Sequence, residues 1–313
     1  MSATHDASMN QPAIETQGLR KTYGRTVALD GLDLRVGEAE VFGLLGPNGA
    51  GKTTAVKLLL GLARASSGTG SMLGRPIGDR EARRRIGYLP ELFRYQPWLT
   101  AREVLALHCE LAGLARHRWA GEIDRSLATV GLSSRGSDRV GGFSKGMQQR
   151  LGLGVALLGE PALVILDEPT SALDPVGRED VRSIVREAKE RGTSVVLNSH
   201  LLGEVERLCD RVAILHRGRL VASGGLSDLL GEPALRLRVT GIDGQADRVL
   251  GPFGPVAADG EWLVIRPLSP ERVPDVVAAV VAAGGRVHAV DPGRRTLEEA
   301  FLDLVRPTAD SAA

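Results

Sequence analysis

The 313-residue sequence is poor in the residues that staple or anchor a chain. It has two cysteines, Cys109 and Cys209, far apart and outside any metal-ligand spacing. That excludes a disulfide framework and fits a reducing compartment. The six histidines are scattered, so no structural zinc site is implied. Neither sign of charge dominates: 39 basic residues face 38 acidic ones, a formal charge of +1. Bulk electrostatics therefore gives no pull towards nucleic acid, and none is expected as a partner. No run approaches the roughly 18 apolar residues a membrane helix needs; the best candidate, residues 151–166, is broken by Glu160-Pro161. Residues 1–12 are polar and lack the charged-then-apolar order of a signal peptide. They are expected to be a disordered tail, and the chain itself to be soluble.

What is present is apolar content enough for a packed core, 43% of the residues, in a length that suits two domains. The most informative stretch is Gly46-Pro47-Asn48-Gly49-Ala50-Gly51-Lys52-Thr53-Thr54. An apolar run, residues 41–45, precedes it as a buried strand, and a helical run over 55–60 follows. Strand, glycine-rich loop and helix is the setting in which G-x-x-x-x-G-K-T cradles phosphate. Glycines let the backbone N–H groups turn into one concave nest, and a helix N-terminus adds its own donors and positive dipole end. Lys52 is expected to reach the β- and γ-phosphates and the Thr53 hydroxyl to sit on Mg²⁺. An ordinary glycine-rich turn would lack Lys-Thr in register after the second glycine.

Taken in order, the chain opens with short expected strands at 15–19, 26–29 and 32–36. Tyr23, in the first of their turns, is a candidate platform for a purine, where stacking is worth on the order of 1–3 kcal/mol per base. Residues 66–70 read as a glycine-serine turn. Thr100-Ala101-Arg102-Glu103 fits a capping box, so a helix starts there with Val104, Leu105 and Leu107 inward. A further helix is expected over 122–130. Ser144 is a candidate N-cap for a helix through 151–158, with Gly146 and Met147 offering first-turn N–H groups outward. Residues 163–166 form a continuous apolar run, the pattern of a central parallel strand. Asp167-Glu168 closes it at the carboxyl end, where open α/β sheets hold ligands. Asp174-Pro175 supplies an N-cap and an N1 proline for a helix burying Val181, Ile184, Val185 and Ala188. Residues 194–197 are another buried strand, ending near His200, and 212–215 with 220–222 form a hairpin around Arg217-Gly218. Glu232-Pro233 marks a boundary. Beyond it, strands at 235–240, 262–266 and 287–290 accompany two helices. One is at 274–283 with Val277, Val280 and Val281 at helical spacing; the other, capped by Thr296 and Glu299, carries Leu297, Phe301 and Leu304. No catalytic constellation occurs there.

Around the phosphate loop stand Tyr23, Glu91 after Tyr88-Leu89-Pro90, and Phe143-Ser144-Lys145-Gly146-Met147-Gln148-Gln149-Arg150. Asp167-Glu168, Ser171-Ala172-Leu173-Asp174 and His200 follow. This order resembles the ATP-binding subunit of ABC transporters over roughly residues 14–225, and most of all the ATPases of bacterial drug and antibiotic exporters. Residues 296–304, Thr-Leu-Glu-Glu-Ala-Phe-Leu-Asp-Leu, resemble the end of their small C-terminal domain. The resemblance implies an α/β fold, a P-loop NTPase of ABC ATPase type with a mixed sheet core, an antiparallel β subdomain and a helical subdomain. The domains would be 13–232 and a small α+β domain at 233–306, with tails at 1–12 and 307–313.

The resemblance also implies roles: ATP on residues 46–54 and Tyr23, Mg²⁺ on Thr53, Asp167 and Glu91, Glu168 on the attacking water, and His200 on the γ-phosphate. Ser144, Lys145, Gly146 and Met147 would bind the ATP of an opposite subunit in a head-to-tail dimer, with Ser171, Ala172, Leu173 and Asp174 as the loop between. A separate transmembrane permease would be the partner, placing the chain in the cytoplasm on the inner face of the membrane. Three departures stand out. Glu91 replaces the family's usual glutamine, Phe143 its signature leucine, and Lys145-Gly146-Met147 its two glycines and glutamine. A soluble ABC ATPase acting on DNA or ribosomes is the alternative, but such chains carry paired ATP sites, a long coiled coil or strongly basic segments. A nucleotide sensor without turnover would be favoured by loss of Glu168 or His200, and both are present.

Overall fold

The computed structural model describes residues 11–171, 173–242, 244–291, 293 and 296–305. Residues 1–10 of the expected tail, Ala172, and the tail at 307–313 lie outside the described residues. The chain forms two compact units, divided between Gly224 and Gly225. The Glu232-Pro233 boundary read from the sequence lies just beyond that division.

The first unit is built on two sheets. One joins β1 (Ile14–Tyr23), β2 (Thr26–Val36), β4 (Ser67–Met72) and β5 (Arg75–Pro76) in the order β2-β1-β4-β5, with antiparallel pairing. The other joins β3 (Val41–Leu45), β6 (Ile86–Leu89), β7 (Leu163–Asp167), β8 (Ser194–Asn198), β9 (Arg211–His216) and β10 (Arg219–Gly225). Its order is β10-β9-β3-β8-β7-β6, and β9, β3, β8, β7 and β6 run parallel. β3, β7 and β8 are buried at every position, as strands covered on both faces must be. The helices are α1 (Lys52–Leu59), α2 (Arg80–Arg83), α3 (Ala101–Leu111), α4 (Trp119–Thr129), α5 (Lys145–Ala156), α6 (Pro175–Glu190) and α7 (Leu202–Leu208). Phe42, Leu44, Leu163, Ile165 and Val196 of the parallel sheet share one core with Leu29 and Leu32 of β2 and Leu58 and Leu59 of α1.

Several helix starts follow local rules. Thr100 and Glu103 form the full reciprocal capping box of α3. Asp174 accepts from Gly177 N at 2.8 Å and Pro175 opens α6. Other readings are corrected. The expected glycine-serine turn at 66–70 is strand β4 from Ser67 onward, because its backbone pairs with β1 from Ile14↔Met72 to Arg20↔Ser67. The two strands at 26–29 and 32–36 are one, β2, irregular near Gly31. Leu107 is exposed on α3; Cys109 is buried there instead.

The second unit contains α8 (Leu226–Leu230), β11 (Leu235–Thr240), α9 (Ala246–Leu250), β12 (Val256–Asp259), β13 (Trp262–Ile265), α10 (Val273–Ala282), β14 (Arg286–Asp291) and α11 (Leu297–Val305). Its antiparallel sheet has the order β12-β13-β11-β14. Leu235, Leu237 and Ile265 of the sheet pack with Val276 and Val280 of α10. Two buried faces differ from the sequence reading. On α10 the buried pair is Val276 and Val280, while Val281 is 59% exposed. On α11 it is Leu297 and Ala300, while Leu304 is exposed.

Candidate functional site

The loop after β3 is shaped by what surrounds its glycines. Gly46, Gly49 and Gly51 all have positive φ. A Cβ on Gly46 would lie 2.3 Å from the carbonyl oxygen of Leu215, and one on Gly51 2.6 Å from that of Ala28. The loop is thus clamped between β2 and the β9–β10 turn. Gly218 N–H donates to Ala50 O at 2.9 Å, and Asp30 N–H donates to Gly218 O at 2.7 Å. α1 starts at Lys52 with no capping side chain, since its N-cap is Gly51. Its first-turn N–H groups are left for a ligand.

Lys52 is buried, and its Nζ donates to Gly46 O at 2.7 Å and Pro47 O at 3.3 Å. Burial holds its ammonium below the usual lysine range, against the opposing pull of Glu168, Asp167 and Glu91. The same groups line a cleft of about 620 Å³. The phosphate loop and residues 26–28 form one wall, and Glu91, Asp167, Glu168, Asn198 and His200 the other.

The acidic wall comes from adjacent parallel strands. Asp167 ends β7 and pairs in register with Asn198 at the end of β8. Asn198 Nδ2 donates to Asp167 Oδ1 at 2.5 Å. Burial pushes the Asp167 carboxyl above its usual range; the Asn198 bond opposes this, Glu91 and Glu168 add to it, and Lys52 opposes it. Glu168 follows at φ 52°, a left-handed backbone that costs a non-glycine residue about 1–3 kcal/mol. Its backbone N–H donates to Asn198 O at 2.8 Å, and Ser171 Oγ donates to its carbonyl at 3.1 Å. Its Oε1 accepts from His200 N–H at 3.0 Å and meets His200 Nδ1 at 2.7 Å. The histidine thereby fixes the carboxylate at the cleft edge.

These residues fit a hard cation. Thr53, Asp167 and Glu91 are oxygen donors, and the Oδ1 of buried Asn198 has no hydrogen-bond partner. Among the described residues no three histidine, cysteine, aspartate or glutamate side chains form a self-sufficient metal site. Two carboxylates and a hydroxyl suit a cation that takes its remaining ligands from substrate phosphates and water, as Mg²⁺ does.

Other sequence candidates lie elsewhere. Tyr23 ends β1, 49% exposed, with the Lys21 ammonium 4.8 Å from its ring; it does not line the cleft, whereas Thr26, Val27 and Ala28 do. Ser144 caps α5 and is exposed, but Met147 N–H is not free as expected: it donates to Ser144 Oγ at 3.2 Å. Ser144, Lys145, Gly146 and Met147 do not line their own chain's cleft. Leu173 is buried beneath them, its Cδ2 3.3 Å from where a Cβ on Gly146 would stand. Sequence reasoning missed Asn198 and residues 26–28. Both are placed by strand pairing, and only a polar residue closing the 194–197 run hinted at the first.

A parallel sheet with a glycine loop at one strand end and Asp-Glu at another defines a P-loop NTPase of the ABC ATPase type. The ABC transporter family profile matches residues 29–171. An uncharacterized ABC transporter ATP-binding protein of Nostoc sp. is 40% identical over 315 residues, covering 95% of this chain and 91% of that one. The Nod factor export ATP-binding protein I of Rhizobium etli is 35% identical over 306 residues, 96% of this chain and 95% of its own. A solved ATP-binding subunit of an ABC transporter, 34% identical, superposes with a TM-score of 0.65 over 69% of this chain and 91% of that one. The chain belongs to the ABC transporter ATP-binding proteins and is an ABC-type ATP hydrolase. No helix among the described residues is long and apolar enough to cross a membrane.

Proposed function

We propose that the chain hydrolyses Mg-ATP in a head-to-tail dimer and drives export through a separate transmembrane permease, working at the inner face of the cell membrane. The carrying observation is a division of groups. Lys52, Asp167, Glu168 and His200 converge on one cleft, while Ser144 stands exposed at a helix start outside it. A helix N-terminus and a serine hydroxyl suit a phosphate, so the signature is complete only against a second chain's nucleotide. The export name of the Rhizobium relative supports the direction of transport.

In this reading the N–H groups of residues 49–54 and the Lys52 ammonium bind the phosphates, and Tyr23, outside the cleft but paired with Thr26 of its wall, would stack on the base. Lys52 exchanges its bonds to Gly46 and Pro47 for phosphate oxygens. Glu168 orients a water and accepts its proton, while His200 holds the carboxylate and faces the γ-phosphate. Mg²⁺, held by Thr53, Asp167 and Glu91, would neutralise charge between the phosphates. Ser171, Leu173 and Asp174 link the carboxylate strand to the signature. Residues 13–232 do this work, and 233–306 are structural or regulatory.

Glu168→Gln tests the assignment. Loss of a general base costs about 10²–10⁴ in rate, roughly 3–5 kcal/mol of barrier. The variant should bind ATP, turn over at that reduced rate and elute as a dimer in ATP. Hydrolysis at the wild-type rate removes Glu168 from the reaction.

A further inference from the structure

A cavity of about 400 Å³ lies at the end of the parallel sheet away from the phosphate loop, where β7 and β8 begin. The last turns of α4, α5 and α6 all reach it, with Thr129, Leu157 and Gly192 in its lining. Three helix C-termini around one space favour a cation there. Leu157, Leu158, Pro161 and Ala188 make much of the remaining wall apolar.

Two polar groups stand inside it. Glu122 and Ser126, four residues apart on α4, share one helix face and are 6% and 7% exposed. The Ser126 hydroxyl has no hydrogen-bond partner, a costly state for a buried polar group. Gly154 leaves room for it, since a Cβ there would stand 2.7 Å from Ser126 Oγ. The other buried hydroxyl of the lining is satisfied: Thr193 Oγ1 donates to Pro161 O at 2.9 Å.

Glu122 supplies the charge. Arg118 Nη2 lies 3.1 Å from its Oε1, and Arg125 Nη2 donates to its Oε2. Arg125 Nη1 also donates to Glu160 Oε1 at 2.8 Å, so this side chain joins the buried carboxylate to an exposed one. Arg125 is 47% exposed, and ion pairs at such exposure are weak. It can release Glu122 and keep Glu160, whereas buried Glu122 cannot follow it out. Arg191, the other cation of the lining, pairs with Glu187 at 3.6 Å.

We propose that this cavity is a binding site for a small apolar amine. The ammonium takes the place of Arg125 on Glu122 Oε2 and donates to Ser126 Oγ, while the apolar body lies against Leu157, Leu158 and Pro161. Arg125 is the latch that the ligand displaces. The volume suits such a molecule, since ligand cavities run from about 300 to 1,000 Å³. The site shares no residue with the nucleotide cleft and does not rest on the dimer reading.

The test uses the full chain and three probes of one shape: 1-naphthylmethylamine, 1-naphthalenemethanol and 1-naphthoate, titrated by saturation-transfer NMR. The amine should bind with a Kd on the order of 1 mM or tighter, as suits about twelve non-hydrogen atoms. Its charge-assisted bonds should place it at least about tenfold ahead of the alcohol and the carboxylate. Glu122→Gln should abolish that preference. Arg125→Ala removes the competing cation and should tighten the amine about threefold, the scale of a half-exposed ion pair, with the alcohol unchanged. Wild-type ATP hydrolysis by both variants reports that they are folded. Equal binding of amine and alcohol overturns the site, as does an Arg125→Ala chain that binds the amine no tighter. Amine binding that survives Glu122→Gln overturns it too, and assigns the probe to the acidic wall of the nucleotide cleft. Should Glu122→Gln not fold, Arg125→Ala decides alone, because that side chain is half exposed.

Discussion

The two units differ most in what they bury. Among the described residues every buried polar or charged side chain lies in the first unit, from Thr16 to Glu204. Among the described residues of the second unit the fully buried side chains are apolar. Positive φ at non-glycine residues follows the same division: Ala39, Leu73, Glu160, Glu168 and Arg217 all precede Gly224. Burying an ion or straining a backbone lowers stability. Those costs fall in the unit that holds the cleft, and Lys52, Asp167, Asn198 and Glu168 bear part of them there. The second unit has Leu235, Leu237, Ile265, Val276 and Val280 in its core. Both units have an apolar core, and the acidic cleft lies in the first.

The contrast can be broken from either side. Lys52→Ala should act on the first unit alone. Truncating one partner of a buried, hydrogen-bonded charge cluster costs about 2–5 kcal/mol, so ATP affinity should fall at least about thirtyfold in a nucleotide titration. Unchanged affinity would contradict the phosphate-loop assignment. Leu237→Ala is the reverse experiment. Leucine-to-alanine changes in a core cost about 2–5 kcal/mol, which calorimetry should register in the second unit's transition while ATP affinity stays put. A large drop in affinity would show the units to be energetically one. Glu91 sharpens the comparison by the smallest step, since it is exposed at the cleft edge. Glu91→Gln should retain most Mg²⁺-dependent hydrolysis. Glu91→Ala should lose about 1 kcal/mol, roughly fivefold, as a partly solvated charge interaction does. An alanine variant matching wild type with and without the permease would leave Glu91 a plain surface residue.

How much was legible in advance depended on how local the rule was. The phosphate loop, the Thr100–Glu103 box, the Asp174-Pro175 start and the all-buried strand before Asp167 are written in a few consecutive residues. β4 was not, because Ser67–Met72 becomes a strand only by pairing with β1. Asn198 was missed for the same reason: it matters because Asp167 stands beside it across two strands. Helix periodicity chose the element but not its buried arc. Leu107, Val281 and Leu304 sit at plausible spacings, yet the neighbouring elements seat Cys109, Val276 and Ala300 instead. Which residue faces inward is a property of the neighbour as much as of the helix.

The clamp on the phosphate loop bears on how the protein is made. Gly46 and Ala50 come early in synthesis, but the carbonyl of Leu215 and the N–H of Gly218, which hold their loop in shape, come late. A chain still on the ribosome, short of the β9–β10 turn, has every residue that lines the cleft but lacks the support behind its phosphate loop. ATP binding should therefore switch on abruptly as that hairpin emerges and docks, a form of quality control by construction. Nascent chains released short of Leu215 would have the phosphate-binding motif but not its shape.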